Sequence, residues 1–157
     1  MADHAAYRVE VSRIIPRPPM EVFKAWTDPA CIAMWISPGT PKVKASMEAR
    51  TGGRFIVELK VQGKPWRLDG EVLEVVPGKR LRFTWVTSEV PADVKSVVTV
   101  TFTDLGGKTG LHVLHEGFPS EKVRGDHDAP GWQQIADVFA KADNMSAEAL
   151  RVAASSV

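Results

Sequence analysis

The chain has 157 residues, of which 20 are lysine or arginine and 19 are aspartate or glutamate, so its formal net charge is +1. This balance argues against nucleic acid or an anionic membrane surface as the main partner, because both attract proteins with a basic excess. The length suits one domain over residues 1–157, with the ends at 1–5 and 155–157 expected to fray.

The composition also bears on the compartment. Cys31 is the only cysteine, so no internal disulfide can form, and a reducing cytoplasm is the expected location. Residues 1–4 lack the regions of a signal peptide, and no apolar run approaches the roughly 18 residues that span a bilayer. We therefore predict a soluble cytoplasmic protein without a membrane span, either a monomer or a homodimer.

The first part of the chain predicts one strand followed by two short helices. Polar and apolar side chains alternate from residue 7 to 15, which is typical of a half-buried strand. The prolines that follow end this strand, and Pro19 favours a helix start because its missing N–H is not needed in the first turn. Asp28 and Pro29 then predict a second helix with Asp28 as its N-cap.

From residue 42 to 116, turn sequences separate short β-rich runs and predict six more antiparallel strands. These turns are Gly52-Gly53, Gly63-Lys64, Pro77-Gly78, Pro91-Ala92-Asp93 and Gly106-Gly107. Alternate positions in the strands are mostly apolar and should share one buried face. The residues of this face are Phe55, Val57, Leu59, Leu81, Phe83, Trp85, Val98, Val100, Phe102, Leu111, Val113 and His115.

The last third predicts a long amphipathic helix that covers this face. Asp128 is the expected N-cap, with Asp126 and His127 in a loop before it. Apolar residues then recur every three or four positions, at Trp132, Ile135, Ala136, Phe139 and Ala142. Residues 147–154 predict a shorter second piece. The fold class is therefore α+β: a curved antiparallel sheet of about seven strands around a long C-terminal helix, with two short helices after strand one.

Several short motifs occur in the same order as in a known superfamily. They are residues 18–29 (PPMEVFKAWTDP), 52–55 (GGRF), 70–75 (GEVLEV), 115–119 (HEGFP) and 131–132 (GW). Together with the order of elements over residues 7–142, they resemble the SRPBCC, or START-like, superfamily, and within it the small proteins related to the activator of the heat-shock-protein-90 ATPase. The resemblance implies a helix-grip fold with a hydrophobic cavity between sheet and helix, but no single reaction, since its members bind varied apolar molecules and some catalyse.

A curved sheet is wider than one helix can fill, so space for a ligand is expected unless large aromatic side chains close it. Tryptophan suits the wall of such a space because it offers a large apolar face and one N–H donor, although for any single tryptophan a plain core position is the commoner case. The expected ligand-binding residues are Trp35, Phe55, Trp66, Phe83, Trp85, Val100, Val113, His115, Phe118, Trp132, Ile135 and Phe139.

His115 is the one candidate for acid or base chemistry, if the protein is an enzyme, because it is predicted to face inward. The alternative is a hydrogen-bonded structural histidine. His115, His127 and the nearby carboxylates lack the spacing of a zinc site, so we predict no metal and no cofactor. Nucleophile-elbow, phosphate-binding and dinucleotide-binding motifs are absent from the sequence, and Cys31 is interpreted as a buried filler residue.

Three functions remain open at this point. The favoured one is a carrier or sensor that binds a small apolar molecule without catalysis. The second is an interaction module for a chaperone, which the resemblance to the ATPase activator suggests. The third is a cyclase or hydrolase acting on a polyketide-like substrate, which requires at least two convergent polar groups in the cavity.

Overall fold

The computed structural model describes residues 7–88 and 95–157, so the predicted turn at 91–93 and the predicted frayed end at 1–5 lie outside it. Within these residues the strands are β1 (Arg8–Ile15), β2 (Lys44–Met47), β3 (Arg54–Val61), β4 (Lys64–Val76), β5 (Arg80–Trp85), β6 (Ser96–Asp104) and β7 (Thr109–Glu116). The helices are α1 (Pro19–Thr27), α2 (Pro29–Trp35), α3 (Glu121–Asp126), a π-helical segment (His127–Trp132), α4 (Gln133–Lys141) and α5 (Ala147–Ala154).

The strands form one antiparallel sheet in the order β1-β7-β6-β5-β4-β3-β2. The predicted α+β architecture is confirmed, with a seven-stranded sheet and two short helices after the first strand. Because β1 pairs with β7, the two edges of the sheet are β1 and β2. The terminal helices lie across the inward face, and Arg13 of β1 helps to hold α4 there by donating to Asp137 (3.0 Å) and Gln133 (2.9 Å).

Local sequence signals set the boundaries that were predicted for the first helices and for one hairpin. Pro19 is the first residue of α1, and the Asp28 carboxylate caps α2 by accepting from the Ala30 N–H at 2.8 Å. At the turn between β4 and β5, Gly78 has a φ of 72° and the Lys79 N–H donates to the Val76 carbonyl at 2.9 Å. These are features of a type II turn, in which glycine supplies the positive φ.

The predicted inward face of the sheet is confirmed. All twelve side chains predicted for it are buried, and none is more than 7% exposed. They pack with the buried residues of α4, which are Ile135, Ala136, Val138 and Phe139. Trp26 of α1 and Trp35 of α2 join the same core, so the sheet is covered by three helices instead of one.

The predicted start of the terminal helix at Asp128 is wrong. The helix begins at Glu121, and Ser120 caps it by accepting from the Val123 N–H at 3.3 Å. Asp126 and His127 therefore lie in helical structure and not in a loop, while the Asp128 carboxylate accepts from the Gln133 side chain at 3.2 Å. The hydrophobic pattern does not reveal α3, because none of its side chains is buried.

The long helix is also not uniform, since α3 and α4 are joined by the π-helical segment. The chain carries Pro130 there, which has no N–H to donate to the carbonyl four residues earlier, so an α-helix would lose one bond at this point. A π-helix connects residues five apart, which places His127 and Trp132 on the same side of the segment. This local widening positions both side chains of the site described below.

The predicted second helical piece is confirmed as α5, which Ser146 caps by accepting from the Ala149 N–H at 3.1 Å. It packs against α2, where Cys31 is buried with its Sγ 3.6 Å from the Met145 carbonyl oxygen. Burial, followed by the charge of Asp28, raises the pKa of the Cys31 thiol to about 11. The thiol thus stays protonated, as a filler residue would. Among the described helices, none has the length and apolar character needed to cross a membrane.

Candidate functional site

A pocket of about 380 Å³ lies beside the terminal helix and is partly open to solvent. It is bounded by the ends of β3 and β4, by the chain that follows α2, and by the junction between the π-helical segment and α4. We call it the side pocket; its lining residues are Ile36, Ser37, Pro38, Leu59, Val61, Trp66, Trp85, Asp126, His127, Gly131, Trp132, Gln134 and Ile135. The volume falls within the range of small-molecule sites, near its lower end.

Three tryptophans give the side pocket its character. Trp66 is half-buried, while Trp85 and Trp132 are almost fully buried, with ring centroids 5.4 Å apart. Aliphatic side chains complete the apolar part of the wall, notably Leu59 of β3 and Ile135 of α4. Such a wall favours apolar and aromatic molecules, because it offers broad ring faces and few polar groups.

The centre of the fold, between sheet and helix, is filled by aromatic side chains. Trp26 stacks on Phe139 and on Trp132, with ring centroids 5.2 and 6.1 Å apart. Phe55 and Phe83 meet edge to face at 4.9 Å. The side pocket is displaced from this packed centre toward the β3–β4 end of the sheet.

The twelve residues predicted to bind a ligand are divided by this arrangement. Four of them line the side pocket: Trp66, Trp85, Trp132 and Ile135. Six belong to the packed core: Trp35, Phe55, Phe83, Val100, Val113 and Phe139. His115 and Phe118 lie directly behind the pocket wall, with their ring centroids 4.2 Å apart. Ligand contact by any of the twelve stays a prediction.

His115 is the centre of a buried hydrogen-bond chain. The Trp132 Nε1–H donates to His115 Nδ1 at 2.9 Å, so Nδ1 has no proton in this tautomer and Nε2 carries it. His115 Nε2 then donates to Ser96 Oγ at 2.7 Å, and Ser96 Oγ–H donates to the Trp85 carbonyl oxygen at 3.1 Å. Every polar atom of the ring is satisfied, and the chain fixes the orientation of Trp132 at the pocket wall.

The environment of His115 also keeps the ring neutral. It is fully buried, and desolvation, followed by the nearby His127, holds its pKa well below the usual value of 6.5. Protonation would break the bond from Trp132, because Nδ1 would then be a donor facing another donor. A ring held in this way serves as a structural acceptor and donor, and it does not line the side pocket.

Two buried indole groups have no hydrogen-bond partner among the residues that the structure describes: Trp26 Nε1 and Trp85 Nε1. Trp26 lies in the packed core, whereas Trp85 is part of the wall of the side pocket. By contrast, Trp35 Nε1–H donates to the Ala25 carbonyl oxygen at 2.9 Å. An unpartnered buried donor is uncommon in folded proteins, and both of these nitrogens are closed off from the side pocket by neighbouring atoms.

His127 supplies the other polar group at this end of the pocket. Its side chain is half-buried, and Nδ1 lies 2.8 Å from the Val123 carbonyl oxygen, so Nδ1 must donate and Nε2 is the nitrogen left for other partners. The His127 and Trp85 ring centroids are 6.2 Å apart. The remaining polar lining comes from Ser37, Asp126 and Gln134.

Sequence reasoning did not predict the lining role of His127, Gly131, Gln134 or the segment after α2. The signal for Leu59 and Val61 was present, because both continue the inward parity of β3. His127, Gly131 and Gln134 could not be found in the same way, since their position depends on the π-helical segment. Across the described ranges, no three His, Cys, Asp or Glu side chains form a group that could hold a metal ion.

A larger depression, of about 680 Å³, lies at the far end of the sheet near Met20 and the Pro77-Gly78 turn. Its rim includes the exposed side chains of Lys79 and Arg80, and Phe102 is its only aromatic lining residue among those described. It is a solvated surface concavity without the aromatic walls of the side pocket. We therefore take the side pocket as the candidate site.

Comparison with known proteins places this geometry in a family. Residues 16–142 match the model of the family described as "Activator of Hsp90 ATPase homolog 1-like protein". A curated relative is the mouse "Activator of 90 kDa heat shock protein ATPase homolog 1", which is 30% identical over 90 residues. That match covers 57% of this chain and 24% of the relative, so the chain spans about a quarter of the length of the curated relatives it matches.

Solved bacterial structures share the whole architecture. Protein CV1439 from Chromobacterium violaceum has a TM-score of 0.74 and 27% identity, over 86% of this chain and 95% of that one. Protein MLL2253 from Mesorhizobium loti has a TM-score of 0.69 and 28% identity, over 96% and 98% of the two chains. These likenesses confirm the helix-grip fold, and the family match covers most of the chain. The chain therefore belongs to the Activator of Hsp90 ATPase homolog 1-like family.

Proposed function

We propose that this protein binds a small, mainly apolar molecule in the side pocket, as a carrier or sensor. The observation that supports this function is the wall formed by Trp66, Trp85 and Trp132 around a space of about 380 Å³. A folded protein gains stability by filling its interior, so three large indole faces bordering an unfilled space favour a ligand there. The family includes no fixed chemistry that would define the ligand further.

Binding without catalysis suits the polar groups better than an enzymatic role does. The sequence named His115 as the first catalytic candidate, but its hydrogen bonds are saturated by Trp132 and Ser96. Its depressed pKa also keeps it neutral, so the imidazolium form that acts as a general acid is absent. A cyclase or hydrolase would have to rely on His127 and on groups at the pocket rim such as Asp126.

A side chain added at Gly131 tests this proposal. A Cβ there would lie 3.6 Å from the Asp126 carbonyl oxygen and 4.0 Å from the His127 Cβ, so the backbone tolerates a substitution. Because Gly131 lines the side pocket, Gly131→Leu should occupy part of it and weaken binding of 2-methylnaphthalene at least about tenfold. Isothermal titration calorimetry of both proteins gives the two dissociation constants.

Gly125→Leu is the matched control for this experiment. A Cβ at Gly125 of α3 meets no described atom within 4 Å, and Gly125 does not line the side pocket. The same glycine-to-leucine change should therefore leave the affinity for 2-methylnaphthalene unchanged. Equal affinity in Gly131→Leu and in the unmodified protein, with both folded, would place any binding outside the side pocket and contradict the proposal.

Interaction with a chaperone is the second candidate, and the similarity to the mouse activator favours it. The exposed large apolar side chains include Ile14 of β1 and Leu105, which both lie beside Gly110 of β7, and Val152 of α5. Co-purification with purified Hsp90, compared with a bead-only control, separates this candidate from the binding of a small molecule. Cytoplasmic location and a monomeric or homodimeric state stay predictions.

A further inference from the structure

We propose that the ligand is an aromatic molecule with a hydrogen-bond donor, of the phenol class, and that this donor binds to the Nε2 nitrogen of His127. This inference rests on the proposed function, since it concerns the occupant of the same side pocket. His127 is the first residue of the π-helical segment and lines the side pocket. Its imidazole places one polar atom beside a largely aromatic wall, and this atom would orient such a ligand.

The backbone of α3 fixes both the tautomer and the orientation of the His127 ring. Nδ1 lies 2.8 Å from the Val123 carbonyl oxygen, and a carbonyl oxygen only accepts, so Nδ1 carries the proton. In the neutral ring Nε2 is therefore an acceptor. The ring also packs against Trp85 and Phe118, at centroid distances of 6.2 and 4.8 Å. A ring held in this way presents its acceptor with little loss of conformational entropy on binding.

The Nε2 nitrogen of His127 is accessible to an incoming group, unlike the buried indole nitrogens. It makes no hydrogen bond in the described part of the chain, yet it is not one of the fully buried atoms without a partner, which there are Trp26 Nε1 and Trp85 Nε1. Nδ1 is turned toward Val123, which borders a small void of about 10 Å³ and not the side pocket. The two nitrogens lie on different sides of the ring, so Nε2 is turned away from that void and faces the side pocket.

Most other side chains of the lining that could accept a hydrogen bond already have a partner. The Asp126 carboxylate is 61% exposed and lies 3.2 Å from the Lys122 ammonium group. The hydroxyl groups of Ser37 and Thr40 lie 2.7 Å apart. Gln134 is the remaining polar side chain among the described lining residues, so its amide is the competing partner for a ligand donor. The experiment must therefore separate the histidine from this amide.

The wall beside His127 favours an aromatic body for the ligand. Trp132 lines the side pocket from the end of the π-helical segment, and Trp66 lines it from β4. Aromatic rings gain from offset or edge-on contacts with such indole faces in addition to the burial of apolar surface. A flat aromatic molecule with one hydroxyl group matches both the wall and the single acceptor, and a phenol is the simplest compound of this kind.

Two naphthalenes that differ in one donor test this assignment by isothermal titration calorimetry at about pH 8, above the range usual for the pKa of histidine. 2-Naphthol donates a hydrogen bond from its hydroxyl group, whereas 2-methoxynaphthalene has no such donor. The ratio of their two dissociation constants, compared between proteins, cancels the difference in their hydration. We expect His127→Phe to reduce the preference for 2-naphthol about fivefold, the effect of one net hydrogen bond.

His112→Phe is the matched control, because His112 lies on β7, has its Nε2 3.0 Å from Glu10 Oε2, and does not line the side pocket. This variant should keep the ratio of the unmodified protein. An unchanged ratio in His127→Phe, or a ratio that falls in Gln134→Leu instead, would overturn the assignment to His127 while leaving the proposed function intact. Failure of both compounds to bind the unmodified protein would overturn both.

Imidazole ¹⁵N NMR of the unmodified protein avoids the risk that His127→Phe folds poorly. Without ligand, His127 should carry its proton on Nδ1, the reverse of the tautomer of His115. The unprotonated Nε2 of His127 should then move upfield with 2-naphthol and much less with 2-methoxynaphthalene, because only the first compound donates to it. An Nε2 resonance that responds equally to both compounds would show that this nitrogen does not accept from the ligand hydroxyl group.

Discussion

Replacing Trp132 with alanine is expected to lower the free energy of unfolding by about 3–5 kcal/mol, the range for a buried tryptophan. Trp132 is 2% exposed, and its ring centroid lies 6.1 Å from that of Trp26 and 5.4 Å from that of Trp85. The change also removes the donor to His115 Nδ1, which would be left buried without its partner. This residue joins the π-helical segment to the core, so a single substitution acts on both.

Urea denaturation, followed by circular dichroism, measures this effect. Trp66→Ala is the control, because Trp66 also lines the side pocket but is only half-buried. Trp66→Ala should lower the free energy of unfolding by about 1–2 kcal/mol, clearly less than Trp132→Ala, since Trp66 buries less apolar surface on folding. A Trp132→Ala variant that is as stable as Trp66→Ala would mean that Trp132 is not part of the core.

Acid should destabilise the protein through His115. The pKa of this ring is depressed in the folded state and close to 6.5 in the unfolded state, so only the unfolded chain takes up the proton below about pH 6.5. The contribution of the neutral ring is fully present above that pH. It is lost as the pH falls toward the folded-state pKa, at about 1.4 kcal/mol per pH unit for one proton.

His115→Gln isolates this contribution, because glutamine can hydrogen-bond but does not titrate in this range. The free energy of unfolding of both proteins is measured by urea denaturation from about pH 7.5 down to about pH 5. We expect a constant difference between the two proteins at the upper end and a steadily smaller difference below about pH 6.5. A difference that stays constant over the whole range would show that His115 is protonated equally in the folded and unfolded states.

Much of the fold could be predicted because the deciding signals are local. Alternation of apolar residues assigned the inward side chains of the strands, and all twelve are buried. Asp28 and Pro29 set the start of α2, and Pro77 with Gly78 set a hairpin turn. Each of these signals acts through backbone geometry over a few residues, so tertiary contacts did not override it.

The start of the terminal helix could not be predicted in this way. Ser120 and Asp128 are both good N-caps, and local propensity does not separate them. Burial of Phe118 next to His115, at a centroid distance of 4.2 Å, holds the chain just before Ser120, and the helix starts there. That contact depends on the packing of Phe118, which lies between β7 and α3, and it becomes visible only in the folded structure.

The exact lining of the pocket could not be predicted for the same reason. The sequence predicted a cavity between the sheet and the terminal helix, with Phe55 and Val100 among its lining residues. Stacking of Trp26 on Phe139 and Trp132 fills part of that region, and the side pocket lies at the end near β3 and β4. Whether large side chains fill a cavity depends on their rotamers and neighbours, which composition and periodicity do not contain.

Isotope-filtered NOE spectroscopy with bound 2-methylnaphthalene tests the central claim most directly. If the ligand occupies the side pocket, its protons should give NOEs to Trp66, Ile135 and the methyl groups of Leu59. NOEs instead to the core residues Phe55, Val100 or Val113, or a saturable complex with none to the side pocket, would contradict the account.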